Sequence, residues 1–595
     1  MDPRLQEILS SIEMCITTTK LMEQAMDKNT SIQQLRLMLR QVSHCIFLME
    51  PLLPTANWRD KVVLCLSQIR KILLLYSMVI NTTAEYTTSK DTRWYLSNRM
   101  QFCLNEIACI ISADTVENEP SMGAFISGVD SALQMLAMPG NAIPNVEPLL
   151  CQALTIAKLS NTMNANDITA GCQQVIKERD KLQQDRNNQL NIMTMTSAIE
   201  LLERRVNTAV LVLFIQVFSD SLKPLRDLVE KCKTVESTGG QQQPRKAEDL
   251  ESFISGFDIH CERIVHVAMF AINCSNASFN HQCIFSMRCC IASLESLEDT
   301  LVPALIAFYM DSENQSKRLL LKTLSNHWSE EIVQLETLLH RVIDTAAMSK
   351  IIHEEMQCTI QELRNLGNPE DVPIVKRKCD DLTKRGKQLL RHIKTSHQEK
   401  QLNTYPHISS SLHTLQLGVH ESNAACNTLL DEGDLPNSMP RIIKRCELIQ
   451  CTVETLADQF EQLLNDEIQS TFPRSKGRNT FCTSSLDNSA LDFTNKCLGS
   501  LSDTMLDTSC LEPFISRAAE LSASKTTLYG KTSRLQTTAN TPSIASNTLL
   551  NLTELLDGSV SIYPDMSTMY DSPQRIKDLK ILEDKIKTLR STSKT

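Results

Sequence analysis

Three groups of residues have types and spacings that suggest chemistry. Two of them lack a part that the chemistry needs. His353–Glu354–Glu355–Met356–Gln357 opens like a zinc-protease helix, in which histidines four residues apart hold the metal and the intervening glutamate serves as base. Gln357 stands where the second histidine belongs, so one helical face offers a single ligand. His260, Cys261 and His266 lie close together, but an i, i+6 spacing is poor for two ligands on one helix, and these read as satisfied or exposed histidines. No C-x-x-C and no paired Cys/His zinc spacing occurs. There is no G-x-x-x-x-G-K-[ST] or G-x-S-x-G, and the 15 glycines of 595 residues leave little for a phosphate-cradling loop. The expectation is a chain without catalytic residues, metal or cofactor.

The third group is electrostatic. Arg377, Lys384 and Arg391 recur at i, i+7 and i+14, with Lys387 and Lys394 beside them. They line one side of a helix expected from Ile374 to about Lys400, while Leu382, Leu389, Leu390 and Ile393 turn inward. A cationic strip of this kind can meet an acidic lipid surface or the acidic face of an actin filament. The same pattern also describes an ordinary solvated helix face. Thr541–Pro542 and Ser572–Pro573 are sites for proline-directed kinases. Phosphate on Ser572 would sit at a helix N-terminus, where negative charge is favoured.

What must position these residues is helical. Aromatic residues make up only 5% and Gly is scarce, and the remainder favours helix over sheet. The net charge of −10 provides no global basic field for nucleic acid. The 21 cysteines and 23 methionines are scattered along apolar stripes, which suits buried thiols and irregular cores. Cys15, Cys45, Cys65, Cys103 and Cys109 all sit among apolar neighbours. Asp2, Glu7 and Glu13 interrupt any signal-peptide core. Ala209 to Ile215 is short, and Val62 to Ile80 is broken by Gln68, Arg70 and Lys71, so neither is expected to span a bilayer.

In chain order, four helices by residue 113 fit one bundle, with Asn29 or Thr30 capping the second. A second helical group occupies 114–234. Its last helix, from Ile192 to Cys232, is long enough to be two. Residues 235–248 hold Gly239, Gly240, three glutamines and Pro244, and read as a linker. A bundle region at 249–468 follows, with helices over Phe253–Met348 and four more reaching about Asn465. Ser, Thr and Asn dominate 469–571, expected to be a disordered tail with a short helix over Leu511–Leu521. An amphipathic helix at 572–592 carries Leu579, Leu582, Ile586 and Leu589. The fold class is all-α: consecutive antiparallel bundles with a largely disordered C-terminal tail.

Val267–Ala268–Met269–Phe270–Ala271, Ile291–Ala292–Ser293–Leu294–Glu295–Ser296–Leu297–Glu298 and Leu301–Val302–Pro303–Ala304 resemble helical-bundle repeats of the vinculin and alpha-catenin superfamily. So do Trp328–Ser329–Glu330–Glu331 and Val342–Ile343–Asp344. The size and the Cys- and Met-rich helices are most similar to the insect serendipity-alpha group. That resemblance implies a cytoplasmic, non-enzymatic scaffold, peripheral on the inner side of the plasma membrane. It would organise actin filaments during cellularisation and membrane invagination in the early embryo. The implied partners are actin, bound directly or through another protein, catenin-type or cortical membrane proteins, and an acidic lipid surface. Two departures bear on this. The tail does not resemble the five-helix actin-binding domain of larger relatives, and no catenin- or vinculin-binding helix matches residue by residue. The alternative is a helical adaptor without actin linkage, a trafficking or centrosomal scaffold dimerising through its C-terminal helix.

Overall fold

The computed structural model describes residues 3–49, 59–82, 86–112, 125–138, 143–186, 188–233, 245–274, 277–366, 371–397, 405–431 and 435–471. The last described helix runs to Thr471, so it takes in residues 469–471 of the expected tail; the rest of that tail, the helix over 511–521 and the helix at 572–592 lie outside the described residues. Sixteen α-helices and no strand are found among the described residues. They are α1 Pro3–Gln24, α2 Lys28–Met49, α3 Arg59–Thr82, α4 Lys90–Ser112, α5 Phe125–Ala137, α6 Glu147–Leu159, α7 Thr162–Gln184 and α8 Gln189–Val217. Then come α9 Lys223–Lys233, α10 Glu251–Cys274, α11 Ala277–Met310, α12 Gln315–His340, α13 Thr345–Arg364, α14 Val372–Ser396, α15 Pro406–Asp431 and α16 Leu435–Thr471.

Short polar side chains set several helix starts by accepting first-turn N–H groups that have no intrahelical partner. Asp27 accepts from the Thr30 N–H at 2.9 Å, so Asp27 rather than Asn29 or Thr30 opens α2. Asn314 takes the Ser316 and Lys317 amides, and Asp344 those of Ala346 and Ala347. The expected Ile192–Cys232 helix is two helices, α8 and α9. The last described helix begins at Leu435 and runs through Pro440 rather than starting there.

The helices α1 to α4 close around one core that includes Ile8, Met38, Ile69 and Met100. A second, continuous core runs from Phe125 on α5 to Phe460 on α16. Within it α5–α8, α9–α12 and α13–α16 pack as successive groups. Each apolar stripe is covered by its neighbours, as bundle packing requires. Trp328 on α12 is buried against Phe257 on α10, ring centroids 5.1 Å apart.

By length and composition alone, one described helix passes for a membrane span. Lys61–Asn81 of α3 is long and apolar enough to cross a bilayer, with mean hydropathy 1.7, although 72% of that window is buried inside the protein. Burial of the cysteines is also incomplete: Cys15, Cys45, Cys65 and Cys103 are inside, but Cys109, Cys358 and Cys451 are exposed.

The first bundle is joined to the second core through α3 and α4, which pack on α11 and α12. Lys71 Nζ donates to Glu331 Oε2 at 2.6 Å, and the same carboxylate faces His327 Nε2 at 3.3 Å. Tyr95 is packed against both cores, and the Asp91 N–H donates to Ser316 Oγ at 3.4 Å.

Helix α14 lies close to α15 at Gly386. A Cβ there would meet Val419 Cγ2 at 2.5 Å. Val419 is β-branched and stiff at χ1, so its methyl cannot swing aside cheaply. Gly386→Ala gains up to about 1 kcal/mol of helix propensity, but overpacking costs about 1–3 kcal/mol. The expected net result is a lower melting temperature, measurable by circular dichroism.

Candidate interaction surface on α14

Eight cations and two carboxylates lie on α14, and the helix sorts them by face. Val375, Cys379, Leu382, Gly386, Leu389, Leu390 and Ile393 are buried. Three cations are used internally. Lys378 pairs with Glu362, Arg385 Nε lies 2.8 Å from Glu355 on α13, and Arg391 Nη1 lies 2.7 Å from Glu336 on α12. Arg385 Nη1 and Gln388 Nε2 also donate to the Ile215 carbonyl near the end of α8, at 2.9 and 3.0 Å. These bonds satisfy a helix-end acceptor and hold α14 in place.

All five residues of the expected strip, Arg377, Lys384, Lys387, Arg391 and Lys394, are exposed on α14. Their spacings of 7, 3, 4 and 3 place them along one face. At 1.5 Å per residue the strip is about 26 Å long. Ile374, one turn ahead of Arg377, is 40% exposed and adds an apolar end to it. The five differ in their partners. Lys384 is 4.0 Å from Asp381, and Arg391 is tied to Glu336. Among the described residues Arg377, Lys387 and Lys394 form no ion pair.

Beneath the Arg391 end is a polar cluster that the sequence reading missed. Glu336 is buried. Burial pushes its carboxyl up, but contacts with His340 and Arg391 outweigh this and hold it below the ordinary value. His340, on the same helix as Glu336, and His392, next to Arg391, are both buried. Their Nδ1 atoms are 3.0 Å apart. The i, i+4 spacing of Glu336 and His340 was visible in the sequence. The 52-residue separation of the two histidines was not informative.

The histidines considered first do other things. His260 Nε2 is 2.9 Å from the Ser221 carbonyl, and His266 Nδ1 is 2.7 Å from that of Glu262. His353 Nε2 meets the Gln450 amide nitrogen at 3.0 Å, so it is engaged with α16. No group of three His, Cys, Asp or Glu residues converges as a metal site among the described residues.

The family described as Serendipity locus alpha protein (SRY-A) matches residues 143–500, more than half of the chain. The chain belongs to this family. Serendipity locus protein alpha of Drosophila virilis is 22% identical over 333 residues, covering 49% of this chain and 57% of that protein. The Drosophila subobscura protein of the same name is 22% identical over 323 residues, covering 49% and 55%. The chain thus spans a little over half the length of these curated relatives. Among solved structures, a vinculin homolog from a sponge aligns with a TM-score of 0.56 at 13% identity, covering 87% of this chain and 68% of that one. The serendipity-alpha chain therefore has a vinculin-like fold of consecutive helical bundles. The α14 strip lies within the residues that the family matches.

Proposed function

We propose that this serendipity-alpha family member is a non-enzymatic scaffold that organises actin filaments at the inner face of the plasma membrane, as in cellularisation of the early insect embryo. The exposed face of α14 is its contact with acidic lipid headgroups. The observation that carries the membrane contact is that, among the described residues, Arg377, Lys387 and Lys394 form no ion pair on a strip whose other cations are engaged. A cation beside an anionic leaflet contributes about 1 kcal/mol. Family membership and the vinculin-like fold support the scaffold class, and serial bundles present long faces suited to partners.

The structure selects which residues to test. Arg391 holds buried Glu336, so reversing Arg391 would put two carboxylates together and damage the fold. Arg377→Glu, Lys387→Glu and Lys394→Glu break no described ion pair. Together they are expected to weaken sedimentation with phosphatidylserine vesicles by at least about 100-fold, from three charges at about 1 kcal/mol each. Unchanged binding by the folded triple variant overturns the lipid contact. Co-sedimentation with actin, comparing the full chain with residues 1–468, tests the other half. Pelleting of both places actin binding on the bundles, and pelleting of the full chain alone places it in the tail. If neither pellets, direct filament binding is wrong and an adaptor role takes its place.

A further inference from the structure

The cluster under the strip is a run of three hydrogen bonds from His397 to His340, which then faces the Glu336–Arg391 ion pair across a longer gap. His397 Nε2 is 2.9 Å from Thr345 Oγ1, and Thr345 Oγ1 is 3.1 Å from His392 Nε2. His392 Nδ1 is 3.0 Å from His340 Nδ1. His340 Nε2 faces Glu336 Oε1 at 3.6 Å, and Glu336 Oε1 accepts from Arg391 Nη1 at 2.7 Å. The chain runs from half-buried His397, at the end of α14, to Arg391 on the strip. Aromatic rings frame it: Phe460 of α16 stacks on His397, and Phe214 of α8 meets His340 edge-on.

With all three imidazoles neutral, the charge of Glu336 fixes the direction of the three hydrogen bonds, although at 3.6 Å it lies beyond hydrogen-bond length from His340 Nε2. The carboxylate repels a bare ring nitrogen, so His340 Nε2 carries the proton on the side that faces it. His340 Nδ1 is then an acceptor and takes the His392 Nδ1–H. His392 Nε2 accepts from the Thr345 hydroxyl, and Thr345 Oγ1 accepts from the His397 Nε2–H. The opposite direction would set a bare nitrogen against the carboxylate.

We infer that His397, Thr345, His392 and His340 form a proton relay ending at the Glu336–Arg391 ion pair, and that it sets the charge the α14 strip presents. A proton taken from hydronium by the free nitrogen of His397 leaves water behind. His397 then passes its Nε2 proton to Thr345, Thr345 passes its own to His392 Nε2, and His392 passes its Nδ1 proton to His340 Nδ1. The three hydrogen bonds between His397 and His340 survive with their directions reversed, and one positive charge arrives at His340 beside Glu336. A single carboxylate then faces two cations, and Arg391, whose side chain is 57% exposed, presents its charge outward. The relay thus regulates the lipid contact proposed above and rests on that reading for its consequence.

The surroundings favour this resting place. Burial holds the His392 imidazole well below its ordinary range, aided by His340 and His397, and burial lowers His397 as well. Neither keeps the proton. Apart from the exposed strip cations, the charged groups nearest the histidines are engaged. Asp344 accepts the Ala346 and Ala347 amides, and Lys350 of α13 pairs with Glu461 of α16 at 2.8 Å. From α8 the ring of Phe214 faces the chain.

The test is sedimentation of the full chain with phosphatidylserine vesicles at pH 7.5 and 6.0, together with histidine-selective carbon-13 NMR over the same range. The added positive charge beside Glu336, which leaves Arg391 less neutralised, is expected to tighten wild-type binding by up to about fivefold at pH 6.0. His340→Gln is expected to keep the weaker binding at both pH values. Glu336→Gln frees Arg391 permanently, so its binding is expected to be stronger at pH 7.5 already, with the gain lost. The two variants fail in opposite directions, which simple misfolding does not do. A pH gain that persists in His340→Gln, or a His340 resonance that does not titrate in the folded protein, overturns the relay. If the wild-type chain binds vesicles at neither pH while His340 titrates, the relay stands and the lipid contact is wrong.

Discussion

Glu331→Gln is expected to loosen the first bundle from the rest of the protein at a cost of about 3–5 kcal/mol. That is the usual penalty for removing one partner of a buried ion pair. Glu331 is buried, and Lys71 comes to it from 260 residues away. The Gln side chain would leave the Lys71 ammonium uncompensated between α3 and α12. Limited proteolysis reports the result: residues 1–112 should be released as a fragment far faster than from wild type. Replacing both partners by apolar residues, Lys71→Met with Glu331→Leu, is expected to restore most of the loss, because the desolvation cost disappears with the charges. Equal proteolysis rates for wild type and Glu331→Gln would show that the pair does not hold the bundles together.

The pair also makes a pH prediction. Burial pushes the Glu331 carboxyl up, but His327 and Lys71 more than offset this, so it lies below its ordinary value. A carboxyl that is more acidic when folded contributes stability above its unfolded value of about 4.3, and loses it as pH falls through the folded value. Burial opposes the charged form of Lys71, but Glu331 outweighs it and raises the ammonium above its ordinary value. That contribution is complete below about 10.4 and is lost as pH rises through the folded value. The interface is therefore expected to hold from about pH 5 to 10 and to open first on the acid side.

Trp328→Ala is expected to cost about 3–5 kcal/mol, the range for deleting a buried aromatic side chain. Trp328 is 2% exposed and packs on Phe257, and a cavity left there cannot collapse without moving α10 against α12. Urea unfolding followed by circular dichroism measures the loss. Trp328→Phe should recover part of it by refilling most of the volume. A midpoint that does not move in Trp328→Ala would mean that this contact carries no load.

The helical class was legible because it depends on local pattern. Trp328, Ile332, Leu335 and Leu339 return at steps of three and four, and all four are buried on α12. The outward face of α14 was legible for the same reason, since a helix places i, i+7 and i+14 together whatever it packs against. Boundaries were less so. The end of Ile192–Cys232 depends on a turn at 218–222, and the start of α16 depends on whether packing tolerates Pro440. The hydropathy of Lys61–Asn81 shows the limit of composition: a bilayer and a bundle core reward the same residues.

By itself the sequence determined an all-α chain of amphipathic helices, its kinship to serendipity-alpha, and the five cations on one helical face. These follow from periodicity and residue identity over a few turns. Only the tertiary structure decided which cations are free. Arg391 and Lys394 look alike in sequence, yet Arg391 is held by Glu336 from α12, while Lys394 forms no ion pair among the described residues. It alone brought Lys71 to Glu331, and three histidines and a threonine into one line. Local periodicity says which way a side chain faces. What meets it there is set by how whole helices pack, across separations for which the chain carries no local signal.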